Sequence, residues 1–186
     1  MSQAITNAAI EITSGRLVMR PVGPEHRDGF VAGLNDWDVA KNLSRPPFPY
    51  AVSDFEAFQT MHAERLHDGG HLAFAIENRG SETIGCISLH RGEDAIFDLG
   101  YWIAKPHWGR GFATEAGDTL LRWFQTLHPL GRIKASHFED NDKSGRVLSK
   151  LGFVYTGETF LLTCVARHAL VRSRAMIRAP LWEEQP

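Results

Sequence analysis

A chain of 186 residues, 43% hydrophobic and 23% charged, is long enough and apolar enough for one domain with a substantial core. Its 20 Lys and Arg against 22 Asp and Glu leave a net charge of -2 and no basic cluster that would track a nucleic-acid backbone. Cys86 and Cys164 are too few for a disulfide framework or a CxxC metal site, and the apolar runs fall short of the roughly 18–20 residues that span a bilayer.

Residues 1–12 lack the cationic start and apolar centre of a signal peptide. The reading is a soluble, cytoplasmic chain that engages no nucleic acid, membrane or metal. Residues 1–14 read as a flexible leader, 15–180 as a single domain and 181–186 as a tail.

Leu17, Val18 and Met19 form a short strand ending at Pro21, followed by a helix over 24–34 and a shorter one over 37–43. Three prolines within 45–50 rule out regular structure there. Ser53 and Glu56 have capping-box spacing, so a helix should start at them and run to about His67, ended by Gly69-Gly70. Leu72, Phe74 and Ile76 alternate as a strand, and further strands follow over 84–90 and 96–103, separated by turns at 78–81 and 92–94. Ala113, Ala116, Gly117, Leu120, Leu121, Phe124 and Leu127 share one stripe of a long helix. Beyond it come a strand over 133–138, a helix over 142–151, and strands over 154–162 and 168–176. Strands gathered around one strand–turn–helix crossover predict an α+β domain with a mixed, mostly antiparallel sheet of about seven strands flanked by helices.

The most informative segment is Trp108-Gly109-Arg110-Gly111-Phe112-Ala113-Thr114, at the mouth of the long helix. Glycines at a helix N-terminus expose backbone N–H groups that no intrahelical carbonyl reaches, at the positive end of the macrodipole, which is a receptor for phosphate. A Walker loop is excluded, because no lysine follows Gly111. A dinucleotide fingerprint is excluded too, because Thr114 stands where the third glycine belongs. Taken alone, the segment could still be a plain connection. About 30 residues on, Asn141, Ser144, Arg146 and Lys150-Leu151-Gly152-Phe153 compose a short helix that local capping and packing fully explain.

Together, in this order, the two segments resemble the GNAT N-acetyltransferase superfamily, and most closely its RimJ/RimL-like branch, which acetylates protein N-termini and other amines. Residues 15–21 resemble that branch's opening strand and residues 99–103 its fourth strand, so the likeness covers nearly the whole chain. The resemblance implies a GNAT fold with a cofactor cleft between splayed strands four and five. It implies an N-acetyltransferase that moves an acetyl group from acetyl-CoA to a primary amine, a protein N-terminal α-amine or a small-molecule amine, by direct transfer in a ternary complex, with CoA as product. The implied cofactor contacts are Trp102, Ile103, Trp108, Gly109, Arg110, Gly111, Phe112, Ala113, Thr114, Asn141, Ser144 and Arg146. The family's loop usually begins with Gln or Arg, where this chain has Trp108.

The tyrosine acid used by many relatives is replaced here by Leu148. The resemblance implies that Ser144 takes its place as the proton conduit to the leaving thiolate. Asp98 is the preferred base and Glu158 the alternative, with Tyr155 and His137 in reserve. The aromatic, proline-stiffened segment Pro46–Tyr50, with Trp37 and Phe48, is read as a wall of the acceptor site. His62, His67 and His71 lie close in sequence, but Gly69-Gly70 breaks the helix that would align them. The competing reading is a non-catalytic acyl-CoA-binding sensor or structural homologue. The apolar segment 160–165 leaves a homodimer open.

Overall fold

The computed structural model describes residues 10–66, 70–92, 96–129 and 131–178. Its strands are β1 (Ile12–Thr13), β2 (Leu17–Pro21), β3 (His71–Asn78), β4 (Thr83–Arg91), β5 (Phe97–Ile103), β6 (Ile133–Phe138), β7 (Val154–Cys164) and β8 (Ala169–Arg178). The helices are α1 (Arg27–Leu34), α2 (Trp37–Ala40), α3 (Val52–Leu66), α4 (Phe112–Leu127) and α5 (Asp142–Lys150). The strands form one sheet in the order β1-β2-β3-β4-β5-β6-β8-β7.

β3 is buried at seven of its eight positions, because the sheet carries helices on both faces at its centre. One face packs Met19, Phe74, Ile87 and Leu99 against Ala116, Leu120, Leu121 and Phe124 of α4 and Leu148 of α5. The other packs Ala73, Ala75 and Cys86 against Phe30 and Leu34 of α1 and Phe55 of α3. Small residues on this second face let the helices approach closely. Truncating a fully buried side chain such as Leu120 should cost about 2–5 kcal/mol.

β5 and β6 are the one parallel pair, joined by the α4 crossover, and they pair only at Phe97↔Ile133 and Asp98↔Lys134. Beyond those two positions the strands diverge and the sheet opens. β4 stays on β5 over all seven of its residues, and β8 stays on β6 over all six of its residues, so the opening is held rigid from both sides.

The sheet has eight strands rather than about seven, since Ile12–Thr13 pairs with Val18 and Met19 as β1, inside the expected leader. Two residues give too short a pattern to read from alternation. The expected first helix divides into a 3-10 turn over Pro24–His26 followed by α1, and α2 ends three residues early. The α3 start lies at Val52, where Asp54 Oδ2 accepts the Ala51 N–H at 2.7 Å, so the capping pair is shifted from Ser53 and Glu56. Leu127, expected on the buried stripe of α4, is exposed at the end of the helix. Residues 1–9, His67, Gly69, the turn residues 93–94 and the tail lie outside the described residues. Among the described residues, no helix is long and apolar enough to cross a membrane.

Candidate active site

A cleft of about 1830 Å³ passes through the opening between β5 and β6 and reaches both faces of the sheet. The glycine loop forms its rim on the α4 side. Gly109 and Gly111 have φ of 74° and 80°, left-handed values that a side chain would strain, and Gly111 is the N-cap of α4. The first intrahelical bond runs from Glu115 N–H to the Gly111 carbonyl. The N–H groups of Phe112, Ala113 and Thr114 precede it and end the helix as open donors.

The loop is braced from the turn before β2. Arg16 donates to the Arg110 carbonyl at 3.0 Å, pairs with Glu115 at 2.6 Å and lies 4.6 Å over the Phe112 ring. Glu115 also accepts from the Ser14 hydroxyl at 2.7 Å and the Arg16 N–H at 2.9 Å. Burial pushes the Glu115 carboxyl up, but these hydrogen bonds and the guanidinium outweigh it and hold it below the usual range. Its charge is thus neutralised internally, and the helix mouth keeps its positive character. Trp108 donates Nε1–H to the Ile103 carbonyl at 2.6 Å, tying the loop to β5. Arg110 and Arg146 are exposed nearby, Arg146 on the cleft wall.

α5 closes the same side. The Asn141 side chain caps it by accepting the Ser144 N–H at 3.2 Å. Ser144 lies on the cleft wall with its hydroxyl 2.8 Å from the Tyr101 hydroxyl of β5. Burial pushes the Tyr101 phenol up to about 12, against the opposing Ser144 hydrogen bond, so it stays protonated throughout the neutral range. Leu148, at the position of the absent tyrosine, is fully buried in the core. The chain therefore brings a tyrosine hydroxyl to Ser144 from a strand 43 residues away. No local pattern around Tyr101 signals this contact, since it arises from the crossover alone.

Strand alternation orders the edge of the opening. Ala104 N–H donates to Ile84 on the β4 side at 2.8 Å, and Phe97 N–H donates to Arg132 on the β6 side at 3.0 Å. Counting by twos, the Trp102 N–H turns towards β4, whereas those of Tyr101 and Ile103 turn towards the opening. The Trp102 ring packs edge-on against Phe30 at 5.2 Å, on the α1 face.

Asp98, Gly100 and Trp102 share that face with His90, Ser88 and Cys86 across the β4–β5 pair. The Asp98 carboxyl is partly exposed in the cleft, 4.0 Å from Lys134. Burial raises its pKa, and Lys134 and Arg45 oppose the rise. Glu158 lines the cleft from the irregular part of β7. His137 Nε2 and the Tyr155 hydroxyl are 2.9 Å apart and occupied with each other. Trp37, Pro46 and Tyr50 line the cleft, whereas Phe48 packs on Trp37 at 5.2 Å and is absent from the wall.

His62 and His71, on either side of the helix-breaking glycines in sequence, come together across α3 and β3 with ring centroids 5.0 Å apart. His90 of β4 joins them at 4.1 Å from His71. Alternation and helical spacing report one element at a time, so a cluster drawn from three elements is invisible to them. Among the described residues, no group of three or more His, Cys, Asp or Glu side chains has a metal-holding arrangement.

An open parallel pair, a glycine-capped helix mouth on one side of it and a capped short helix bearing a serine on the other define an acetyl-transfer fold. Residues 16–154 match the Acetyltransferase (GNAT) domain, and the chain belongs to that family. The match makes it an acetyltransferase acting on acetyl-CoA, and relatives of the RimJ/RimL type are similar to it. It is 27% identical over 161 residues to the [ribosomal protein uS5]-alanine N-acetyltransferase of Escherichia coli strain K12, covering 80% of each chain. The structure of RimL, a ribosomal L7/L12 α-N-protein acetyltransferase in complex with coenzyme A, superposes with a TM-score of 0.80 at 16% identity, over 91% of this chain and 98% of that one. Spermidine N-acetyltransferase from Vibrio cholerae, in complex with CoA and spermine, gives 0.73 at 19% identity, over 90% and 97%.

Proposed function

We propose that the chain transfers the acetyl group of acetyl-CoA directly to a primary amine, a protein α-amine or a small-molecule amine, in a ternary complex at the β5–β6 opening. The observation that carries this is the juxtaposition of open N–H groups at the α4 mouth with the Tyr101–Ser144 hydroxyl pair at the same opening. The residues suit a pyrophosphate: two left-handed glycines expose the donors, Arg110 and Arg146 add positive charge, and Arg16 neutralises the only carboxylate in the first turn.

Acetyl-CoA, when bound, supplies the activated acetyl group. The chain's own part is then positional and electrostatic. The Tyr101 and Ile103 N–H groups, turned to the opening, stabilise the oxyanion. Asp98 takes the proton from the incoming ammonium, directly or through water, with Glu158 as the second carboxylate on the wall. Ser144 holds a proton at its hydroxyl for the departing thiolate. A positioned acid or base of this kind contributes about 10²–10⁴ in rate.

The test is thermal unfolding with acetyl-CoA, CoA and NADH, followed by thiol release against amines and short peptides. Stabilisation by both CoA species but not by NADH, with amine-dependent thiol release, is the expected result. Stabilisation without turnover on any amine favours the sensor. No shift at millimolar CoA or acetyl-CoA would end this reading. Ser144→Ala should lower kcat by about 10²-fold with little change in acetyl-CoA affinity.

A further inference from the structure

Among the described residues, the α1–α3 face of the cleft holds polar groups that no partner satisfies. His71 is 1% exposed and His62 3% exposed. Neither ring nitrogen of either residue has a hydrogen-bond partner, and Nδ1 of His90 has none. His71 and His90 both line the cleft, and His62 packs behind His71. His90 Nε2 reaches only the Ser88 hydroxyl, at 3.2 Å, which also lines the cleft. Leaving buried polar atoms unpaired is costly, so a cleft wall that gathers several of them, with His90 and Ser88 at its surface, suits a polar group brought to the cleft.

The charges around the cluster say which group. Arg45, before α3, and Arg65, on α3, are the cations facing it. Asp98 on β5 is the nearby carboxylate, itself beside Lys134 on β6. Burial lowers the His71 imidazole to about 3 and the His90 imidazole to about 4, the neighbouring rings and both arginines adding to the effect. The rings are therefore neutral at pH 7, and each offers an N–H donor. The two arginines favour an oxyanion over a second ammonium at the His71–His90 edge of the cleft.

Resting on the acetyltransferase reading above, we propose that Arg45, His71, Ser88 and His90 form an acceptor subsite for a carboxylate, so that the amine acetylated here carries a carboxylate on the same molecule. His90 sits directly across from Asp98 in the β4–β5 register. The wall thus offers a negative group to the amine and donors to the carboxylate within one cross-strand pair. Phe58 and Met61 supply the apolar floor. The carboxylate can belong to a free amino acid or to an acidic side chain next to a peptide N-terminus.

The test uses matched probes: alanine against alaninamide, and C-terminally amidated Ala-Asp-Ala-Ala against Ala-Asn-Ala-Ala. Binding to the full-length protein saturated with CoA is measured by calorimetry, and kcat/KM by thiol release from acetyl-CoA. A carboxylate preference of about 10–100-fold within one pair is expected, as for a charge-assisted hydrogen-bond set, and that pair identifies the source. In Arg45→Ala and His90→Leu the preference should fall towards one, with CoA binding and cooperative unfolding checking that each variant is folded. Equal binding of carboxylate and amide, or no binding of any carboxylate probe while CoA still binds, overturns the subsite and leaves the acetyltransferase reading intact. A preference that survives both substitutions overturns it as well. Failure of CoA to bind the wild-type protein instead overturns the reading on which the subsite rests.

Discussion

The two faces of the sheet around the β5–β6 opening hold their polar groups in opposite conditions. On the α4–α5 face the chain supplies the partners itself. Glu115 is met by Ser14 and Arg16, Ser144 by Tyr101, and Asn141 by the N–H it caps. On the α1–α3 face the imidazoles of His62 and His71 lie buried with ring nitrogens unmatched. A surface whose side chains are already fixed by one another is preorganised for a ligand of constant shape. A surface with unmatched groups depends on what is brought to it. Under the proposed function, the first face suits the acetyl donor and the second is left to set selectivity.

The sharpest way to break this comparison is at the helix mouth. Gly111→Val places a branched side chain at φ 80°, where the backbone strain is about 1–3 kcal/mol and the loop must shift to relieve it. Affinity for CoA should fall by about 100-fold in calorimetry, with the melting temperature changing far less. Unchanged affinity would mean that the open N–H groups do not hold the donor.

Next in size is Tyr101→Phe, which removes one hydroxyl and keeps the ring. If Tyr101 orients Ser144, kcat should fall by about 10-fold, with the KM for acetyl-CoA preserved. Adding Tyr101→Phe to Ser144→Ala should then do little more, because the two act as one unit. Additive losses would show that the 2.8 Å contact is only structural.

A smaller effect is expected from Glu115→Gln, which loosens the brace behind the loop. The native carboxyl is held below its ordinary pKa, so its stabilisation is complete above the unfolded value of about 4.3 and is lost as pH falls through the native one. The half-exposed Arg16 partner limits the effect to about 1–2 kcal/mol at pH 7. Urea unfolding should show that deficit at pH 7 and its progressive shrinkage as pH falls below about 4, together with several-fold weaker CoA binding. A deficit independent of pH would assign the effect to packing.

The same contrast governs what could be read before the fold was known. The α4 stripe, the glycine loop and the Asn141 cap are local, so periodicity and helix-end chemistry disclosed them. β5 and β6 were legible as strands, but their separation after two residue pairs is a property of the crossover. Arg16 and Glu115 stand 99 positions apart, and His62, His71 and His90 lie on three elements, so neither group leaves a sequence period. The glycine loop was thus visible in the sequence, and so were Asp98, Trp37, Pro46 and Tyr50 of the cleft wall. The Arg16–Glu115 brace and the histidine cluster were not, because long-range packing assembles them.

The smallest expected effect tests whether the acceptor-side imidazoles are truly unmatched. His62 stacks on Phe58 at 6.2 Å, and burial lowers its pKa. An imidazole held neutral in the native state lets the unfolded chain bind the extra proton, so wild-type stability should decline as pH falls below about 6.5. His62→Phe keeps the aromatic contact and removes both the orphaned nitrogens and the proton site. At pH 7.5 its stability should stay within about 1 kcal/mol of wild type, lost shape being offset by relief of the unpaired atoms. At pH 5.8 the variant should gain on wild type by at most about 1 kcal/mol from this one site. Thermal unfolding at the two pH values reads the difference directly. A gap that does not change with pH would mean that His62 takes up its proton as readily in the folded protein as in the unfolded chain, which an imidazole buried without a partner does not do.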